Sequence, residues 1–275
     1  MATLSVCLET VFTDLPAPER IEKIAEAGFR HVEFWHPEAT FDGRELRFDW
    51  AKDAAELRQA CRRHGVAIND FAMHAWDGSI GGSPVKAGDR AKYLAQIQRM
   101  IEFAAAIGCT KGITLSGTVD PAQSRARMRQ GLEAALAEAV ELARKAGFTL
   151  LLEPLNTLVD HPGYYLDSTA ESAEIVRAIA SPHLKLLYDV YHMQIMEGKV
   201  LATIERNIDI IGHFHGAGVP GRAELFDTEL NYPAILKRID ALGYEGCFGL
   251  EYFPRMPDHT ASLGAIRSYL GGTPT

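Results

Sequence analysis

One pattern limits what this chain can fold into more than any other. Short apolar runs of strand length alternate, eight times over, with longer segments of helical periodicity. An apolar run of four to eight residues between turn residues is how a strand buried on both faces reads. Such strands are expected at Leu4–Leu8, Phe29–Phe34, Val66–Met73, Thr110–Ser116, Phe148–Glu153, Leu184–Asp189, Ile210–His215 and Cys247–Glu251. Helices are expected at Pro16–Ala27, Trp50–His64, Arg90–Ile107, Pro121–Ala146, Asp167–Ala180, Lys199–Ile208, Pro233–Leu242 and His259–Leu270. Proline near a helix start and glycine just past its end mark several of these boundaries. Eight strand–helix units predict an α/β fold, a closed (β/α)8 barrel, forming a single domain over residues 1–275; such barrels take about 250 residues. An open doubly wound sheet would carry a glycine-rich phosphate loop after its first strand, and Leu8-Glu-Thr-Val-Phe12 is not one. Residues 40–47 and 75–88 read as loops, and the Gly-Gly-Thr-Pro-Thr end of the chain as a frayed tail.

Four successive strands end in a residue able to hold a metal. Leu150-Leu-Leu-Glu-Pro-Leu-Asn156 runs from leucines into Glu153, and Pro154, which cannot donate to a sheet ladder, stops the strand there. The next three strands end in Asp189, His215 and Glu251. In a barrel, strand C-termini are where active sites collect. One such residue is an ordinary solvated strand end; four in succession on neighbouring strands predict a shared cation. Two glutamates, an aspartate and a histidine form an oxygen-rich, borderline donor set. It suits one divalent metal, Mn2+ or Mg2+ first, with Co2+ or Zn2+ compatible. Such a cation polarises a carbonyl and an adjacent hydroxyl, and Glu153 and Glu251 can then move a proton between carbons through an enediolate. Aldose–ketose isomerisation and epimerisation both follow from that chemistry, as does elimination by a keto-sugar lyase.

Substrate contacts are expected from His192, three residues past Asp189, and from Arg222, whose guanidinium can hold a carboxylate or hydroxyls bidentately. His74, Glu33 and Trp35 are further candidates on the opposite side of the mouth. Trp35, Phe71 and Trp76 can wall a sugar or simply pack. His213 shares a strand face with His215 and reads as a buttress beneath it.

The charge balance counters one alternative. Lys and Arg number 28 against 36 Asp and Glu, a net charge of −8. A DNA-repair endonuclease on such a barrel would need a basic face and more histidine ligands. A non-catalytic sugar-binding barrel would not need both glutamates. Small-molecule substrates are therefore expected, with no nucleic-acid or membrane partner; the sequence leaves open whether the chain forms a homo-oligomer. No apolar run approaches the roughly 20 residues of a membrane span, no secretory leader is expected at the N-terminus, and Cys7, Cys61, Cys109 and Cys247 form no CxxC pair. A cytoplasmic location and unpaired thiols are the expectation.

The chain resembles the hydroxypyruvate isomerase family, within the xylose isomerase-like TIM barrels related to ketose 3-epimerases. The resemblance is carried by Leu152-Glu-Pro-Leu-Asn156, Pro162-Gly-Tyr-Tyr165, Tyr188-Asp-Val-Tyr-His-Met-Gln-Ile-Met-Glu-Gly198, Ile211-Gly-His213, Val219-Pro-Gly-Arg222, Asn231-Tyr232, Gly249-Leu-Glu-Tyr252 and Ala27-Gly-Phe-Arg-His-Val-Glu-Phe34. It implies two catalytic glutamates, Glu153 and Glu251, and metal ligation through Glu153, Asp189, residue 215 and Glu251. Hydroxypyruvate isomerases usually carry Gln where this chain has His215, and the epimerases carry His. The following loop, Gly221-Arg-Ala-Glu-Leu-Phe-Asp-Thr-Glu229, also departs from the family's. These differences leave the metal core intact and admit a sugar or keto-sugar beside hydroxypyruvate.

Overall fold

The computed structural model describes residues 2–271. The tail expected to fray lies, from residue 272 on, outside them. Eight parallel strands form the sheet: β1 (Thr3–Cys7), β2 (His31–Phe34), β5 (Ala67–Phe71), β6 (Lys111–Thr114), β7 (Thr149–Leu152), β8 (Leu184–Asp189), β9 (Ile211–Gly216) and β10 (Cys247–Leu250). Their order around the sheet is β5-β2-β1-β10-β9-β8-β7-β6. At the remaining seam Ala72 bridges Ile113 in parallel, and the Met73 N–H donates to the Ile113 carbonyl at 3.0 Å. The expected barrel is thus observed.

Helices α1 (Ala17–Glu26), α2 (Ala54–His64), α3 (Arg90–Ile107), α4 (Arg125–Ala146), α5 (Thr169–Ile179), α7 (Val200–Asn207), α8 (Tyr232–Ala241) and α9 (His259–Tyr269) separate the strands and pack around them. The long helices show why. In α4, Leu132, Leu136, Ala139, Val140 and Ala143 are buried at helical spacing while the other face stays polar. Helix α3 matches its expected limits, closed by Gly108 at φ 77°.

Two helices start four residues later than expected, because capping side chains decide the matter. Asp53 accepts from the Ala55 and Glu56 N–H groups, so α2 begins at Ala54 rather than Trp50. Ser124 accepts from Arg127 N–H, so α4 begins at Arg125 rather than Pro121. Two elements were not expected at all. Residues of the first polar loop pair as a hairpin, β3 (Thr40–Phe41) with β4 (Leu46–Arg47). A helix α6 (Val190–Met196) follows β8 at once, capped by Asp189 itself. The four cysteines are free and buried. Among the described residues, no helix is long and apolar enough to cross a membrane.

Candidate active site

Glu153 and Glu251 each sit one residue beyond a barrel strand and still donate backbone N–H bonds across it, to Thr114 and Gly216 carbonyls. Asp189 and His215 are register partners at the ends of β8 and β9. The ligand atoms of Glu153, Asp189 and His215 lie within 4.8 Å of one another, and so do those of Asp189, His192 and Glu251. His215 Nδ1 is 3.6 Å from Glu153 Oε1 and 3.5 Å from Glu251 Oε2. The structure therefore gathers around His215 the four residues expected to share a cation.

Electrostatics give the cluster a reason to want one. Glu153, Asp189 and Glu251 are all buried, and buried like charges repel unless something offsets them. Burial, opposed by His215 and reinforced by Glu251 and Glu153, pushes the Asp189 carboxyl up to about 7. Burial raises Glu153 as well. Glu251 differs: burial opposes its charge, but the Arg222 guanidinium and His215 outweigh it and hold the carboxyl below its ordinary value. Both His215 ring nitrogens are buried without a hydrogen-bond partner. An orphaned imidazole among three carboxylates fits a divalent metal bound by one nitrogen and several oxygens.

Glu251 is held from two sides. Trp35 Nε1 donates to Oε1 at 2.5 Å, and Arg222 Nη2 donates to Oε2 at 2.6 Å. Arg222 also lies over the Tyr191 ring, 5.3 Å from its centroid. Its backbone is left-handed, φ 53°, an uncommon state for a residue with a Cβ. His192 is fixed by Asn156, whose amide Nδ2 lies 2.6 Å from its Nδ1. That nitrogen accepts, so Nε2 carries the proton and faces Asp189 Oδ2 at 3.5 Å.

A cavity of about 220 Å³ opens onto this cluster, lined by Glu153, Glu251, His192, Arg222 and Trp35 among others. That is below the roughly 300–1,000 Å³ of sites for drug-sized ligands. Trp76 lies in its wall, as does His161, a residue the sequence reading passed over. His161 stacks edge-on to Trp76 at 4.9 Å and to His192 at 5.4 Å, and its Nδ1 is buried without a partner. A histidine beside the Pro162-Gly-Tyr-Tyr165 run was the available signal.

Two expected substrate contacts sit elsewhere. His74 is fully buried, its Nε2 accepting from the Leu115 N–H at 2.9 Å, with Thr114 Oγ1 at 3.1 Å. Glu33 lies inside the barrel against His213 and His215. Neither is among the residues that line the cavity. Phe71 is likewise core, stacked on Phe34 at 5.2 Å.

With this geometry in hand, relationship to known proteins adds a class. The family described as xylose isomerase-like TIM barrel matches residues 21–269, and the chain belongs to it. The chain is 34% identical to the 2-oxo-tetronate isomerase of Cupriavidus necator over 273 residues, covering 98% of this chain and all of that protein. It is 31% identical to the hydroxypyruvate isomerase of Escherichia coli over 255 residues, 93% of this chain and 95% of that one. An AP endonuclease, family 2, from Brucella melitensis superposes with a TM-score of 0.87 at 28% identity, covering 98% and 99% of the two chains. The resemblance to hydroxypyruvate isomerases is thus borne out, and isomerase is the enzyme class consistent with these relatives.

Proposed function

We propose that this chain is a metal-dependent isomerase that moves a proton through an enediolate on a small hydroxy-keto acid of the hydroxypyruvate or 2-oxo-tetronate type. One observation carries the reading: two buried glutamates flank His215 Nδ1 at 3.6 and 3.5 Å, in unlike environments.

Glu153, Asp189, His215 and Glu251 would hold the cation, with Mn2+ or Mg2+ the best match to the donor set. Bound there, it would polarise a substrate carbonyl and the neighbouring hydroxyl. The protein's own groups do the rest. Burial raises the proton affinity of Glu153, which suits it to take a proton from carbon. Glu251, kept ionised by Arg222 and oriented by Trp35, takes the proton of the neighbouring hydroxyl and delivers it to the second carbon, while Glu153 passes its proton to the former carbonyl oxygen. Separated proton affinities in one site are how paired carboxylates divide acid and base roles. Arg222 and His192 lie in the cavity wall, where they can meet substrate oxygens. Trp35, Trp76, Leu115 and Leu155 keep that space apolar and exclude water from the carbanion.

Histidine at position 215 favours a second reading, a ketose 3-epimerase using the same residues. A nuclease reading is disfavoured by the net charge of −8 and by the small, tryptophan-walled cavity.

Purified protein, stripped with EDTA and reloaded with Mn2+, is offered hydroxypyruvate, a 2-oxo-tetronate and a ketose panel in D2O, with products read by NMR. The expected result is metal-dependent movement of the carbonyl in an acid, with solvent deuterium at one carbon. A product whose carbonyl stays in place, with deuterium at an inverted centre, would establish the epimerase instead. Loss of water would mark a lyase. Equal turnover before and after EDTA would end the metal-dependent reading.

A further inference from the structure

Below the cavity the barrel interior holds a second polar cluster: Glu33 on β2, Asp70 on β5, and His213 and His215 on β9, all buried, with ligand atoms within 4.8 Å. A second cation is one interpretation of such a set. The hydrogen bonds around His213 argue for another.

Lys111, at the start of β6, donates from Nζ to Asn69 Oδ1 at 2.8 Å. An ammonium only donates, so this bond fixes which end of the Asn69 amide faces which way. Asn69 Nδ2 therefore points inward, 3.3 Å from His213 Nδ1, and also bonds Asp70 Oδ2. His213 Nδ1 must then accept, which leaves the proton on Nε2. That N–H faces Glu33 Oε2 at 3.1 Å and Asp70 Oδ2 at 3.2 Å. A protonated nitrogen has no lone pair for a metal, so His213 donates here rather than ligating.

Glu33 carries the sequence one step further. Its second oxygen, Oε1, lies 3.2 Å from His215 Nε2. Neither atom has a hydrogen-bond partner of its own among the described residues. The opposite nitrogen of the same ring, Nδ1, is the one that faces Glu153 and Glu251.

The backbone is arranged for this contact. The β2–β5 register shifts between Val32 and Phe34, giving β5 an extra residue where Asn69 and Asp70 stand side by side. A similar shift near Gly212 precedes His213. On β10, Gly249 is the register partner of His215. A Cβ there would overlap Glu33 Oε1 and come within 2.6 Å of His215 Cδ2. Gly249 leaves the space in which carboxylate and imidazole meet.

We propose that Lys111, Asn69, His213 and Glu33 form a chain of positioning residues that fixes His215 with its proton on Nε2 and its Nδ1 lone pair turned to Glu153, Asp189 and Glu251. The proposal rests on the metal-site reading above. It assigns Glu33 the part of the carboxylate that orients a metal-binding histidine, a contact worth 10–100-fold in metal affinity where it has been broken elsewhere.

The test pairs a spectrum with a titration. Long-range 1H–15N spectra of histidine-labelled, unmutated protein, with and without Zn2+, report each ring's tautomer. Mn2+ binding to the unmutated protein and to Glu33→Gln, Gly249→Ala and Lys111→Met is followed by EPR of the free ion. Expected are the Nε2–H form for His213 and, on loading, a metal shift at His215 Nδ1 with Nε2 still protonated. Mn2+ should bind about 10–100-fold more weakly to Glu33→Gln. It should weaken in the same direction in Gly249→Ala, which removes no polar group, and less in Lys111→Met. A proton on His213 Nδ1, a metal shift at His215 Nε2, or unchanged Mn2+ affinity in Glu33→Gln would each overturn the proposal. If the unmutated protein takes up no divalent ion, the metal-site reading falls, while the His213 tautomer still decides the chain.

Discussion

Replacing Lys52 with methionine should destabilise the protein by about 3–5 kcal/mol, the range for breaking one side of a buried ion pair. Lys52 and Glu9 have fully buried side chains, with Nζ 2.6 Å from Glu9 Oε1. The same ammonium donates to the His36 carbonyl at 2.7 Å and to the Ala39 carbonyl at 2.5 Å. Burial pulls the Lys52 ammonium below its ordinary range, and the neighbouring Glu9 resists that pull. Methionine fills the volume but strands one carboxylate and two carbonyls. At about 2–4 °C per kcal/mol for a chain of this size, the loss is about 6–20 °C in Tm. The effect should reach the site, because Glu9 Oε2 also accepts from the Trp35 N–H at 2.9 Å, and the Trp35 indole holds Glu251. Urea unfolding of K52M, E9Q and the double variant measures it. The double variant should be more stable than K52M alone, since it removes the stranded charge. A K52M loss below about 1 kcal/mol, or a double variant showing the sum of both single losses, would refute the argument.

Three further outcomes follow. Glu153→Gln should keep the fold by circular dichroism and lower kcat about 10²–10⁴-fold, the usual range for a lost general acid–base group; a loss under tenfold would exclude Glu153 from proton transfer. Arg222→Met should move the acid limb of kcat/KM to higher pH, because burial then acts on Glu251 without the guanidinium that offsets it; an unmoved limb would separate Arg222 from Glu251 in function. Burial, with His36 nearby, lowers His74 to about 3, so the unfolded chain, near 6.5, binds the proton first as pH falls. From pH 7 to 5 the unmutated protein should therefore lose about 2 kcal/mol relative to His74→Gln; parallel urea midpoints for the two would show that His74 does not titrate differently on folding.

What was legible in the sequence was whatever one segment decides alone. Each barrel strand reads as an apolar run, and the run from Leu150 to Leu152 stops where Pro154 forbids another ladder bond. The positions of Glu153, Asp189, His215 and Glu251 at strand ends follow from those stops. Helix α6 was not legible, because its seven residues begin on Asp189, which accepts from the Tyr191 N–H at 2.7 Å and the His192 N–H at 3.2 Å. A residue read as a strand end and candidate metal ligand is at the same time a helix cap. The β3–β4 hairpin is two pairs long, too short for alternation to register.

Long-range contacts behave differently, and Glu33 shows why. Sequence placed it near a strand tip facing substrate; its neighbours turn out to be His213 and His215, about 180 positions away. Nothing local distinguishes a carboxylate that meets a ligand from one that meets a histidine one layer lower. The signal lay in polarity out of place: Glu33, Asp70 and His213 each interrupt an apolar strand whose flanks are buried. An ionisable group inside a parallel strand has no water to face, so it must find a partner of complementary charge across the barrel. Three such interruptions on β2, β5 and β9 therefore imply one another. In the upper cluster neither ring nitrogen of His215 has a hydrogen-bond partner, and Nδ1 faces Glu153 and Glu251. In the lower one His213 is engaged at both ring nitrogens, by Asn69, which Lys111 orients, and by Glu33. That contrast is the physical ground for assigning the cation to the upper cluster and orientation to the lower.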